Sequence, residues 1–150
     1  MNTENNKYGS VRRGLIPEDL MKFSWADELV ISPNGRMVAY TVKEPYAESN
    51  GYIARVYLRN VSSAEGKCLT FGVGIASSIA WSKDGSRLAY SWRSLDTDSF
   101  DSAVHIYSVD TGDEEVFSVD GESLSGLDWS SGGDKLVGVR WTDMDHPDER

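Results

Sequence analysis

The sequence predicts an all-β protein assembled from repeats of one four-stranded unit. Three observations carry that prediction: a turn pattern that recurs, short runs of β-branched and aromatic residues after each turn, and a spacing that four strands and their connections would fill. The turn stands at Ile31-Ser32-Pro33-Asn34-Gly35, at Trp81-Ser82-Lys83-Asp84-Gly85 and at Trp129-Ser130-Ser131-Gly132-Gly133. Its serines lie 50 and then 48 residues apart. That period is the length of a β-propeller blade, in which four short antiparallel strands form one radial sheet.

The first element is a short helix over Pro17-Glu18-Asp19-Leu20-Met21-Lys22-Phe23. Proline at the first helical position, with acids just behind it, is a helix start signal. It lies outside the repeat, so residues 1–14 are expected as a flexible N-terminus and 15–26 as the helix and a linker. Residues 27–150 are then an incomplete propeller, with blades near 29–72, 77–120 and 125–150. The turns explain themselves chemically. Serine can bond back to the backbone, Pro33 presets φ for its position, and Asn34 or Asp84 precedes a glycine that supplies positive φ. Gly35, Gly85 and Gly133 should therefore have positive φ. Gly132 stands where Asn34 and Asp84 do, and tolerates the same geometry.

After the turns come Met37-Val38-Ala39-Tyr40-Thr41-Val42 and Leu88-Ala89-Tyr90-Ser91-Trp92, which read as strands. The second half of the unit repeats as well. Arg55-Val56-Tyr57-Leu58-Arg59-Asn60-Val61 matches Val104-His105-Ile106-Tyr107-Ser108-Val109, with Tyr57 and Tyr107 again 50 apart. Last strands follow at Lys67-Cys68-Leu69-Thr70-Phe71 and Glu115-Val116-Phe117-Ser118-Val119. Strands are expected near 28–32, 36–43, 53–61, 67–71, 77–81, 87–93, 103–109, 114–119, 125–129 and 135–141. The large residue before each turn serine (Ile31, Trp81, Trp129) should pack between neighbouring blades. Propellers close with about 4–8 blades. Two blades and the start of a third leave two sheet faces open, so the chain is expected to be a fragment of a longer protein, or a truncated product, and to associate through those faces.

Composition narrows the class. With 39% hydrophobic and 26% charged residues in 150, the chain can build a core. A net charge of −9 argues against nucleic-acid binding, which needs a basic face. Residues 1–75 carry a net +1 and residues 76–150 a net −10, which reads as solubilising acidic loops. No run of the sequence approaches a membrane span, so no membrane partner is expected. Met1 to Gly14 holds no apolar core of signal-peptide length, and the lone Cys68 suits a reducing compartment. A cytoplasmic location is expected, which makes the sequon Asn60-Val61-Ser62 a chance match.

No catalytic, cofactor-binding or metal-ligating residue is assigned. The string Gly121-Glu122-Ser123-Leu124-Ser125 lacks the second glycine of a nucleophile elbow and sits between strands. His105 lies inside a strand pattern and His146 near the end, neither with a motif around it. Asp96, Asp98 and Asp101 begin like a calcium loop, but Phe100 and Asp101 break the alternation. Asp143, Asp145, Asp148 and Glu149 read as a solvated loop. Gly72-Val73-Gly74 lacks a nucleotide loop's third glycine and reads as a blade-to-blade turn. Trp81, Trp92, Trp129 and Trp141 recur with the repeat, as packing residues do.

In order, the chain offers Ile16-Pro17-Glu18-Asp19-Leu20, then Ser32-Pro33-Asn34-Gly35-Arg36-Met37-Val38-Ala39-Tyr40, Cys68-Leu69-Thr70, and Trp81-Ser82-Lys83-Asp84-Gly85-Ser86-Arg87-Leu88-Ala89-Tyr90. From residue 15 to about 145 this resembles the amino-terminal propeller of the prolyl oligopeptidase family, most closely its acylaminoacyl-peptidase branch. Tol-system propellers share the turn repeat, and the Ile16–Leu20 lead-in without a signal peptide favours the peptidase. The resemblance implies a gating, substrate-limiting role. In that family the propeller caps a carboxy-terminal α/β-hydrolase domain with a Ser–Asp–His triad and admits short peptides, and no catalytic residue of that domain falls within this chain. The other function open to the sequence is a non-enzymatic Tol-like or WD-repeat-type propeller that binds proteins on its loops.

Overall fold

A computed structural model describes residues 14–63, 65–96, 102–119 and 124–140. A six-residue 3-10 helix, Pro17–Lys22, leads in, with the Asp19 carboxylate accepting the Ile16 N–H at 3.2 Å. Ten strands follow: β1 (Trp25–Ile31), β2 (Met37–Tyr46), β3 (Gly51–Asn60), β4 (Gly66–Cys68), β5 (Gly74–Trp81), β6 (Arg87–Ser94), β7 (Ser102–Ser108), β8 (Glu114–Val119), β9 (Leu124–Trp129) and β10 (Leu136–Arg140). The strands β1–β4 form one antiparallel meander, β5–β8 a second, and β9–β10 the start of a third. A single parallel bridge, Ala54 to Ile75, links the first two meanders. The fold is all-β and is part of a β-propeller.

The three turns share one geometry, and Gly35, Gly85 and Gly133 have φ of 71°, 74° and 70°, in the region an L side chain avoids. In the first turn the Ser32 hydroxyl donates to Asn34 Oδ1 at 2.8 Å and accepts the Met37 N–H at 2.9 Å. In the second, Ser82 donates to Asp84 Oδ1 at 2.6 Å and accepts the Arg87 N–H at 2.9 Å. The third has no acceptor at Gly132, and Asp134 replaces it: Ser130 donates to Asp134 Oδ1 at 2.8 Å. The three hydroxyls thus keep one bonding pattern with two acceptor positions.

Several expectations change: β2 runs on to Tyr46 rather than ending near 43, and β5 begins at Gly74 rather than near 77. The first strand begins at Trp25 rather than near 28, because Trp25 and Ala26 pair with Lys43 and Val42 ahead of a bulge. The fourth strand ends at Cys68 rather than near 71. There the Thr70 hydroxyl accepts the Val56 N–H at 3.2 Å, so a side chain replaces the ladder. Finally, the counterpart of Tyr57 is His105, not Tyr107. Tyr57 pairs with Tyr40 and His105 with Tyr90, whereas Tyr107 faces Leu88. From Tyr40 to Tyr57 the chain runs 17 positions and from Tyr90 to His105 it runs 15, so strand register conserves the pairing, not the sequence interval.

Each of β1, β5 and β9 carries a bulge, near Ala26/Leu29, Ser77/Ala80 and opposite Val137/Val139. Ser78 and Gly126 occupy corresponding bulge sites with φ of 55° and 59°. A bulge adds a residue to one strand and increases twist, which stacked radial sheets require.

Candidate interaction faces

Two cores lie between the blades, one on each face of the second. The first packs Ala39, Val56, Leu58 and Leu69 of blade one against Ala76, Ile79, Leu88, Tyr90 and Tyr107 of blade two. The second packs Ala80, Ala89 and Val104 of blade two against Leu124 and Leu127 of blade three. Alternation along each strand sends successive side chains to opposite faces, so one strand feeds both cores.

The same contact closes both interfaces. The Trp81 indole N–H donates across to the Val30 carbonyl at 3.3 Å, and the Trp129 indole to the Ala80 carbonyl at 3.2 Å. Above Trp129 the Arg87 guanidinium lies 4.6 Å from the ring centroid and donates to the Gly133 carbonyl. Met37, the counterpart of Arg87, is packed at the first interface together with Trp81. The packing role expected for Trp81 and Trp129 is thus met. Ile31, expected to do the same, is 60% exposed on the outer face of blade one.

Polar groups reinforce the first interface. The Glu28 carboxylate accepts the bulge N–H groups of Ser78 at 3.1 Å and Ile79 at 3.0 Å, one on each oxygen. Lys67 on β4 donates to the Tyr107 hydroxyl and sits 4.3 Å from its ring centroid. Within blade two, Tyr90 stacks on His105 with centroids 5.0 Å apart and donates to Glu114, while His105 Nδ1 lies 3.2 Å from the same carboxylate oxygen. Burial first, and then the Glu114 bond, push the Tyr90 phenol far above its ordinary pKa. That histidine sits in a packed ladder between β6 and β8, which is a structural setting. Sequence reasoning missed Glu28, Arg87 and Lys67, because each acts across blades, at partners that spacing alone does not pair.

The remaining sequence candidates fall as follows. Asp96 caps the blade-to-blade turn by accepting the Val73 N–H at 3.2 Å, and Gly72 takes φ 83° there. Asp98, Asp101, Ser123, Trp141, His146 and the acidic run from Asp143 lie outside the described residues. Trp92 packs against the first core. Among the described residues no group of three or more His, Cys, Asp or Glu side chains is placed to hold a metal ion, and no helix is long and apolar enough to cross a membrane.

Among the described residues nothing covers the outer two faces. Leu29, whose counterparts Ile79 and Leu127 are 7% and 8% exposed, is itself 59% exposed. Val137, whose counterparts Ala39 and Ala89 are fully buried, is 63% exposed. At the end of blade one where β1 starts, Leu20, Met21, Phe23, Trp25 and Tyr52 line an apolar hollow of about 320 Å³, with Trp25 set edge-on to Tyr52 at 5.2 Å.

No family model matches the chain. The curated dipeptidyl-peptidase 5 of Porphyromonas endodontalis is 33% identical over 76 residues, a match that covers 51% of this chain and 11% of that protein. An acylaminoacyl peptidase in complex with Z-Gly-Gly-Phe-chloromethyl ketone superposes with a TM-score of 0.65 at 18% identity, over 88% of this chain and 20% of that one. The acylaminoacyl peptidase of Pyrococcus horikoshii gives 0.64 at 18% identity, over 87% and 20%. The β-propeller domain of the trilobed protease from Pyrococcus furiosus gives 0.63 at 17% identity, over 86% and 38%. In fold, the described residues form part of a β-propeller, similar to the propeller domain of the trilobed protease and to the matched part of the acylaminoacyl peptidases.

Proposed function

We propose that the chain is the gating propeller segment of an acylaminoacyl-peptidase-like serine peptidase, and that an α/β-hydrolase domain of the same parent protein does the chemistry. The observation that carries this reading is the order of its parts. The Ile16–Leu20 lead-in forms a 3-10 turn and feeds directly into blades of the peptidase propeller's fold. The apolar hollow around Leu20, Phe23 and Trp25 supports it, as a surface against which a further domain could bury area. In this reading the propeller acts by sterics and the hydrolase by acyl transfer from a nucleophilic serine, so short peptides reach the triad and folded proteins do not. The lone Cys68 fits a cytoplasmic enzyme.

The test uses the natural polypeptide that carries these residues, beside purified residues 1–150. A fluorophosphonate probe should label one serine of the natural polypeptide, outside residues 1–150, and that protein should hydrolyse N-acylated amino-acid anilides. Residues 1–150 alone should neither label nor hydrolyse. Stoichiometric labelling of a serine within 1–150 would overturn the assignment. So would a natural polypeptide that contains only further blades and takes no label, which would establish a protein-interaction propeller instead.

A further inference from the structure

We propose that the outward face of the third blade is a docking site selective for a further blade that presents an indole, and that a second copy of this chain is not that partner. The reasoning does not depend on the peptidase reading. It rests on two interfaces of one design and a third face that repeats their receiving half. The receiving half has three parts. A backbone carbonyl in the inner strand accepts an indole N–H: Val30 in blade one, Ala80 in blade two. A long side chain stands just after the turn: Met37, packed on the same core as Trp81, and then Arg87, which lies over the Trp129 ring. A small apolar residue two positions on is fully buried beneath: Ala39, then Ala89.

Blade three has all three at the corresponding positions. They are the carbonyl of Asp128, the side chain of Lys135, and Val137, which is 63% exposed. The Asp128 carboxylate folds back on its own strand, accepting the Trp129 N–H at 2.8 Å, so a charge at this site does not block the approach. Lys135 in place of Arg87 keeps a cation over the ring position, and cations favour the face of an indole. The partner is therefore a sheet whose inner strand ends in tryptophan, as β5 and β9 do.

The chain's own presenting edge lacks that feature. At the position of Trp81 and Trp129 blade one has Ile31. Docked head to tail on blade three, Ile31 would leave the Asp128 carbonyl without its donor and place an alkyl group under the Lys135 ammonium. Burying an unpaired carbonyl and a cation opposes self-pairing, although the apolar area of Leu29 and Val137 favours it.

The experiment is sedimentation velocity on the 150-residue chain. Ile31→Trp supplies the missing indole and should shift head-to-tail association to at least about tenfold lower concentration, the scale of one hydrogen bond plus one cation–π contact. Adding Lys135→Ala should reverse part of that gain and adding Val137→Asp all of it. Ile31→Tyr, which keeps a ring but misplaces the donor, should fall between wild type and Ile31→Trp, and carries the test if near-UV circular dichroism shows Ile31→Trp to be misfolded. Association of the folded aromatic variants equal to wild type would overturn the proposal. So would an Ile31→Trp gain that Val137→Asp leaves untouched.

Discussion

The two interfaces of the second blade share an indole contact but differ in everything around it. Toward blade one, the contact is broad: Leu88, Tyr90 and Tyr107 enter a core with Val56 and Leu58, and Glu28 clasps the bulge of β5. Toward blade three, the described residues bring small side chains, Ala80 and Ala89, against Leu124 and Leu127, and the polar contact rests on Arg87 over Trp129. No second clasp exists there among the described residues, and the reason lies in one position. Ser78 is the counterpart of Glu28, and its short side chain cannot span to the bulge at Gly126. The two interfaces thus share the indole contact and differ in the contact that adjusts strength.

The comparison predicts unequal costs. The largest should come from Leu88→Ala, which empties a fully buried site in the broad interface. A loss of about 3 kcal/mol in urea denaturation is expected. Leu127→Ala, at the smaller interface, should cost less, and equal losses would mean that the two contacts are not unequal as described.

Next is Glu28→Gln. It leaves one amide acceptor for two bulge N–H groups and turns an NH2 toward the other, for an expected loss of about 1–2 kcal/mol. Amide hydrogen exchange should quicken at Ser78 and Ile79 while the Ala80 region behind Trp129 is unchanged. Uniform quickening across both interfaces would refute a local clasp.

Trp129→Phe is expected to cost about 1 kcal/mol, as it loses the indole bond to Ala80 and weakens the stacking of Arg87. Following it with Arg87→Ala should cost less than Arg87→Ala does in the wild-type chain. A double-mutant cycle without coupling would show that the cation and the ring do not interact.

The smallest effect concerns a turn. The Ser82 hydroxyl, and then the Ser86 N–H and hydroxyl, hold the Asp84 carboxyl down to about 2. The folded value lies below the ordinary one, so the stabilisation is complete above about pH 4 and is lost as pH falls through about 2. Asp84→Asn should flatten the decline of stability across that window and change little at neutral pH. Asn34 already makes the same bonds in the first turn, accepting from Ser32 at 2.8 Å and from the Arg36 N–H at 3.0 Å. An unaltered acid slope would assign the titration to other carboxylates.

The sequence by itself determined the local grammar of this protein. Serine, a short polar residue and a glycine of positive φ specify each turn, and alternating apolar residues after it specify strands, because both depend on neighbours a few positions away. Blade count follows from the 50- and 48-residue spacing, and the open faces follow from the count. Only the tertiary structure decided which residues meet. The pairing of Tyr57 and His105 with their tyrosines depends on the length of each whole hairpin, strands and turn together, since an interval of 17 positions in one and 15 in the other moves the match without moving the register. Thr70 ends β4 by offering a side-chain oxygen where the ladder would continue. The Glu28 clasp and the Arg87 stack join residues about 50 and 42 positions apart across a radial gap. Such contacts depend on the angle between sheets, which bulges and packing set together and no single stretch of sequence encodes.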